Sequence, residues 1–309
     1  MKESLLEILS CPESGEPLEL KDPEGSGDEI TEGRLVSPSG RSWTIRKGIP
    51  RFVDSDRYVS NFSLEWTVHK KTQLDSISSQ RSFETFKERI GFTSEEIKGR
   101  RVLDAGVGMG RYSDIALNLG GDVVGADLSL AVESAHANLG ENPRFNVVQA
   151  DIFHLPFKKE SFDYIFSMGV LHHTPDCKKA FLSLLPLLKK GGEIAIWVYA
   201  WQGFHSIRSN FWRFFTTKIP PRTLYGIIKT FLPLWDAGLR IPLLGKAFKI
   251  IPTSGHELKE WRVLDTFDWY SARYQSKHRW EEVEGWFREA GLTDIRRLNY
   301  PVAVRGRKP

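Results

Sequence analysis

Between residues 99 and 200 the apolar positions fall into short unbroken runs. Val102-Leu103, Val123-Val124, Val147-Val148, Tyr164-Ile165-Phe166 and Ile194-Ala195-Ile196 are of strand length and rich in β-branched or aromatic residues. Between the first two runs, Tyr112, Ile115, Ala116 and Leu119 keep the spacing of an amphipathic helix, and Lys178 to Lys190 reads as another helix. The alternation predicts a βαβ series and hence an α/β fold. The flanks differ. Residues 1–58 open with Leu5, Leu6, Ile8 and Leu9 at helical spacing, then read as short strands with glycine turns. Residues 59–98 mix aromatic and polar residues at helical spacing. Residues 201–279 interrupt the plan before a final helix from Trp280 to Ala290 and two last strands in residues 280–309.

The stretch Val102-Leu103-Asp104-Ala105-Gly106-Val107-Gly108-Met109-Gly110-Arg111 carries the chemistry. An apolar strand ends in a carboxylate, and glycine then takes every second position before a helix. Such a loop bends sharply and lets backbone approach a ligand with no Cβ in the way. A dinucleotide loop has glycine where Arg111 stands, and Asp104 would repel its pyrophosphate. S-adenosylmethionine carries an ammonium and a sulfonium at its methionyl end, for which that charge is favourable. The sign of one residue favours the methyl donor.

Asp104 with Gly106, Gly108 and Gly110 resembles the first motif of class I S-adenosylmethionine-dependent methyltransferases, with Val107 where a cysteine is usual. The resemblance implies a Rossmann-like, seven-stranded, mainly parallel sheet over 99–200 and 280–309, with helices on both faces. It also implies a donor site. Asp127, which ends the second strand 19 residues after Gly108, would meet the ribose hydroxyls, with Leu128 beside it. Asp151 would meet the adenine amino group, Ile152 would pack on the ring, and Ser167 would lie nearby. Trp66 and Gln73, in 59–98, are candidates for a lid over the donor. Each acid alone is also a plausible helix N-cap. Leu171-His172-His173 resembles the corresponding element of small-molecule methyltransferases. His172 is the candidate general base, or else a residue that shapes the pocket by hydrogen bonding.

The insertion 201–279 is expected to build a helical cap over the acceptor. Between His205 and Ile251 it holds eight Lys or Arg and one acid, Asp236, interleaved with large apolar side chains and broken by prolines. Such helices suit a cap with a solvated basic face, contact with an anionic membrane surface, or a lipid-linked or phosphorylated substrate. His173, Tyr199, Asp268, Tyr270, Arg273 and Tyr274 are the acceptor-site candidates.

Residues 1–58 resemble the small zinc-ribbon-like domain of the tRNA-methyltransferase activator family. Cys11 is kept but Ser14 takes the partner position, so a version without metal is expected. Residues 1–32 carry ten acids and two bases, which disfavours nucleic acid and suits packing or homodimer formation. The 309 residues, net charge of +4, two cysteines and absence of a long apolar run fit a cytoplasmic protein. Three functions follow. The first is methyl transfer from S-adenosylmethionine, leaving S-adenosylhomocysteine, to a small-molecule or lipid- or sugar-linked acceptor. The second is methylation of tRNA or rRNA. The third is a non-catalytic scaffold that binds the donor.

Overall fold

A computed structural model describes residues 1–53, 81–239, 251, 253–254 and 259–309. Trp66 and Gln73 lie outside the described residues. Strands β1 (Glu19–Ser26), β2 (Glu29–Val36), β3 (Ser42–Arg46) and β4 (Ile49–Arg51) come from the N-terminal segment. The parallel core comprises β5 (Arg101–Ala105), β6 (Asp122–Asp127), β7 (Phe145–Gln149), β8 (Phe162–Met168) and β9 (Leu188–Trp197). β10 (Thr293–Arg297) and β11 (Ala303–Arg307) are added antiparallel at the far side. All belong to one sheet in the order β1-β2-β3-β4-β7-β6-β5-β8-β9-β11-β10.

The strands are buried on both faces, which explains their unbroken apolar runs. Neighbouring residues serve opposite cores, because side chains alternate across a strand. Leu103, Val124, Val148, Ile165 and Ile194 pack with Phe181 of α5 (Cys177–Leu184) and Phe287 of α9 (Trp280–Glu289). Val102, Val123, Val147, Phe166 and Ala195 pack the other way. They meet Phe86 of α1 (Arg81–Arg89), Ile115 and Ala116 of α3 (Arg111–Asn118), and Val132 and Ala135 of α4 (Ala131–Leu139).

Among the described residues the sheet has eleven strands rather than seven, and the N-terminal segment is an extension of it. The exposed edge of β7 offers unpaired backbone groups, and β4 lies along it, with Arg51 opposite Gln149. Phe52 N–H donates to the Gln149 carbonyl at 2.8 Å, and Lys2 Nζ to that of Phe145 at 2.8 Å. Leu5, Leu9, Leu35 and Ile45 enter the same core as the βαβ strands. Cys11 is buried and accepts a 3.5 Å contact from the Ser14 amide.

Beyond β9 the insertion forms α6 (Phe204–Thr216), α7 (Pro221–Leu239) and α8 (Lys259–Ser271), after the short α2 (Ser94–Ile97) earlier in the chain. Leu224, Ile228, Leu232, Phe267 and Tyr270 form their common core. Pro233 does not end α7 as expected; the helix continues through it, at the cost of one backbone donor. No helix among the described residues is long and apolar enough to cross a membrane.

The strand order reverses between β5 and β8. From β5 the chain winds outward through β6 and β7, then returns to build β8 and β9 on the other side. At such a switch point the loops leaving the carboxyl ends diverge and open a crevice.

Candidate active site

That crevice is a cavity of about 500 Å³, within the roughly 300–1,000 Å³ of small-molecule sites. Its first wall is the loop after β5. Gly106 adopts φ +103°, and a Cβ there would lie 2.3 Å from Val170 Cγ2. Gly108 has φ +52°. Both line the cavity with Val107, Asp127, Leu128 and Ile152. The Gly108 amide donates to Asp127 Oδ2 at 3.0 Å, while Ser129 donates to Oδ1 through its amide and hydroxyl. Burial pushes the Asp127 carboxyl above the usual range against those hydrogen bonds. The carboxylate is therefore held rigid at the end of β6, with its face to the cavity.

Four residues expected at the donor turn out to do other work. Asp104 is buried behind the loop, where Ser113 Oγ donates to it at 2.8 Å, and burial pushes its carboxyl up to about 7. Gly110 does not line the cavity; it lets the loop close on α4, where a Cβ would meet Leu139 Cδ1 at 2.7 Å. Asp151 caps the following turn by accepting the Phe153 amide at 3.0 Å. Ser167 is sealed in the sheet and donates to the Ala105 carbonyl at 2.7 Å. Asp104, Asp151 and Ser167 are short polar side chains captured by a nearer backbone or hydroxyl partner.

The other end of the cavity is built from three distant segments. His173, on the turn after β8, directs Nδ1 to the Tyr274 carbonyl at 3.0 Å and Nε2 toward Asp268 Oδ1 at 3.6 Å. Tyr199 Oη donates to Asp268 Oδ2 at 2.7 Å. Asp268 Oδ1 is buried with no hydrogen-bond partner among the described residues. Burial opposes ionisation of this carboxyl, but His173, Tyr199 and Arg213 hold it below the usual range. Backbone bonds fix the arrangement: Ser276 N–H donates to the His172 carbonyl at 2.8 Å, and His278 N–H to that of Tyr199 at 2.8 Å.

His172 is not placed to act as a base. It is fully buried and absent from the cavity wall; its ring stacks on Tyr199 at 3.8 Å, and Nδ1 accepts the Tyr199 amide at 3.3 Å. Burial, and then the nearby His173, push its pKa well below the ordinary value. Tyr270 likewise belongs to the core of the cap, where burial raises its pKa. Arg273 is exposed against Tyr274, and Tyr274 contributes its carbonyl rather than its ring.

Several wall residues carried no sequence signal of their own. The Arg89 guanidinium packs against the rings of both Trp197, at 4.0 Å, and Tyr300, at 3.8 Å. Its Nε is buried without a hydrogen-bond partner among the described residues, as is Gln275 Nε2. Lys277 faces the cavity, donates to Asn210 Oδ1 at 3.0 Å, and is pushed down to about 8 by burial and then by Arg213. Arg111, Gln202 and His205 also line the cavity. Only a tertiary structure joins residues 89, 197, 277 and 300.

Residues 103–196 match a family model described as a methyltransferase domain. Over 107 residues the chain is 34% identical to phosphoethanolamine N-methyltransferase 2 of Caenorhabditis elegans, covering 33% of this chain and 24% of that protein. Over 106 residues it is 39% identical to tRNA U34 carboxymethyltransferase of Pseudomonas aeruginosa, covering 33% of each. A solved structure of phosphoethanolamine N-methyltransferase 2 from Haemonchus contortus, in complex with phosphomonomethylethanolamine and S-adenosylhomocysteine, aligns with a TM-score of 0.46. It is 21% identical and covers 89% of this chain and 56% of that one. The chain spans about a quarter to a third of the length of the curated relatives it matches. Residues 103–196 are thus a methyltransferase domain by that match.

Proposed function

We propose that the protein transfers a methyl group from S-adenosylmethionine to a small polar acceptor bearing an anionic group. The observation that carries this reading is one cavity shared by two sets of groups: the glycine loop with Asp127, and the His173–Asp268–Tyr199 cluster with Lys277. The donor-side residues fit the cofactor: Gly106 and Gly108 leave room where a side chain would stand, Asp127 offers a carboxylate to vicinal hydroxyls, and Ile152 offers an apolar surface. When bound, S-adenosylmethionine supplies an electrophilic methyl group on a positively charged sulfur.

The protein's own contribution is alignment and proton handling. With Nδ1–H donated to the Tyr274 carbonyl, the nitrogen of His173 left to exchange a proton is Nε2, directed at the Asp268 end of the cavity. There it takes the proton of an attacking O–H or N–H group. Asp268 stabilises the imidazolium that forms, and the Tyr199 hydroxyl holds the carboxylate in place. Lys277 and Arg89 give the walls fixed positive charge, which suits an acceptor with a phosphate or carboxylate. The name of the Caenorhabditis elegans relative points the same way.

RNA modification is the second reading, favoured by the 39% identity to the tRNA U34 carboxymethyltransferase. One experiment separates the two: label from the donor methyl group is followed into fractionated metabolites, lipids and RNA. The small-molecule reading expects label in a phosphate- or carboxylate-bearing fraction. Label confined to RNA, with binding that weakens steeply as salt rises, would reverse the order.

A further inference from the structure

Helix α6 is inside out. Its inward positions are polar: Ser206, Ser209 and Arg213 are buried. Ser206 and Ser209 line the cavity, while Arg213 donates to the carbonyls of Trp269 at 2.7 Å and Ala272 at 2.6 Å. Its outward positions are apolar. Phe204, Ile207, Phe211, Phe214 and Phe215 are exposed, from 50% for Phe215 to 71% for Phe204. Their spacing gathers them into one stripe along the helix. The rings are contiguous, with centroids 5.6 Å apart for Phe211 and Phe215 and 5.2 Å for Phe214 and Phe215. An ordinary surface helix turns such a stripe to the core, and a contiguous apolar patch left outside marks an interaction site.

Charge selects the partner. Lys218 Nζ lies 4.0 Å from the Phe214 ring, and the Arg208 guanidinium 5.1 Å from that of Phe204. Arg222 and Lys229 are exposed on α7. The one acid between residues 204 and 239 is Asp236, which is paired with Arg262 at 2.8 Å. A second copy of this chain meeting the same face about a two-fold axis would set these cations against one another. An anionic bilayer takes both features, with aromatic side chains at the headgroup boundary and cations on the lipid phosphates.

We propose that the outer face of α6 docks on an anionic lipid bilayer. The inner face of the same helix lines the cavity, so docking brings the Lys277 end of the site to the lipid–water boundary. The surface stands on exposure and charge alone and does not depend on the methyl-transfer reading.

The test is co-sedimentation of the full chain with vesicles of phosphatidylglycerol and phosphatidylcholine, against phosphatidylcholine alone. Wild type is expected to pellet with the anionic vesicles and to be released by salt. F211S/F214S/F215S should lower the partition coefficient by at least about tenfold, given the area each ring buries. K218E/R222E should abolish the preference for anionic lipid while leaving S-adenosylhomocysteine binding intact, which also reports that each variant is folded. Should the triple variant lose that binding, F211S and F214S read separately replace it. Wild type that stays in the supernatant, or a folded serine variant that pellets like wild type, overturns the proposal. A wild-type dimer that the serine variant converts to monomer, without vesicle uptake, assigns the face to a second copy instead.

Discussion

His173 Nε2 lies 3.6 Å from Asp268 Oδ1 in the cavity wall, whereas the adjoining His172 is sealed beneath it against Tyr199. Two consecutive histidines therefore have separable roles. His173→Ala is expected to lower kcat/KM by about 10²–10⁴-fold, the usual loss on removing a positioned acid–base group, with S-adenosylhomocysteine affinity retained. His172→Ala should instead act on the fold, costing about 2–4 kcal/mol as a core truncation and lowering Tm. Steady-state rates set beside thermal melts of both variants decide it; equal kinetic losses at unchanged stability would contradict the assignment.

The donor loop depends on one missing side chain. Gly106→Ala places a Cβ 2.3 Å from Val170 Cγ2 at φ +103°, a conformation that side chains rarely adopt. Binding of S-adenosylhomocysteine should drop sharply. The pair Gly106→Ala/Val170→Ala removes the clash but not the backbone strain, so it should recover part of the affinity. Gly226→Ala, with nothing within 4 Å of the added carbon, is the control and should bind as wild type. Calorimetric titration of the four proteins reads the order directly.

Asp104 gives a pH signature. Its folded pKa of about 7 stands well above the ordinary aspartate value of 3.8, mainly because of burial. From pH 4 to 7 the unfolded chain ionises first, so this group's contribution to stability is full at low pH and is lost as pH rises toward 7. Asp104→Asn keeps an acceptor for Ser113 Oγ and removes the titration. The Tm of the variant minus that of wild type should therefore climb between pH 4 and 7, then level off. A difference that stays flat across this window would place the ionised carboxylate in a solvated setting.

Lys277 is the anion-binding candidate. Lys277→Met should raise acceptor KM by about 10- to 100-fold, the 1.5–3 kcal/mol of a hydrogen bond to a charged group, with kcat little changed. Because burial and Arg213 lower its pKa to about 8, the ammonium is lost from the free enzyme as pH rises through that value. Wild-type KM should rise there, and the Met variant should lose that rise. A KM independent of residue 277 would move the anion to another wall group.

The core strands were legible because a parallel sheet buried on both faces leaves unbroken apolar runs, such as Val123-Val124 and Ile194-Ala195-Ile196, whereas the switch point came only with the strand order. Strand ends were therefore easy to place, and side-chain directions were not. Asp104, Asp127 and Asp151 all follow strand residues, yet Ser113 and the Phe153 amide draw the first and third away from the cavity. Nothing in Leu171-His172-His173 says which ring turns inward, since that depends on Tyr274 and Tyr199 from other segments. The packing of Arg89 against Trp197 and Tyr300 has no local pattern at all. The N-terminal strands read as a free unit because the single bridge from Arg51 to Gln149 leaves no periodic mark.

The proposed seat of the sulfonium nucleoside is the loop of Gly106 and Gly108, with Asp127 at its edge. Calorimetric titration of the full chain with S-adenosylhomocysteine tests this most directly. Saturable one-to-one binding, lost in Gly106→Ala and undisturbed by excess nicotinamide dinucleotide, is the expected result. Tight uptake of a nicotinamide or flavin dinucleotide, with no heat from S-adenosylhomocysteine, would contradict it.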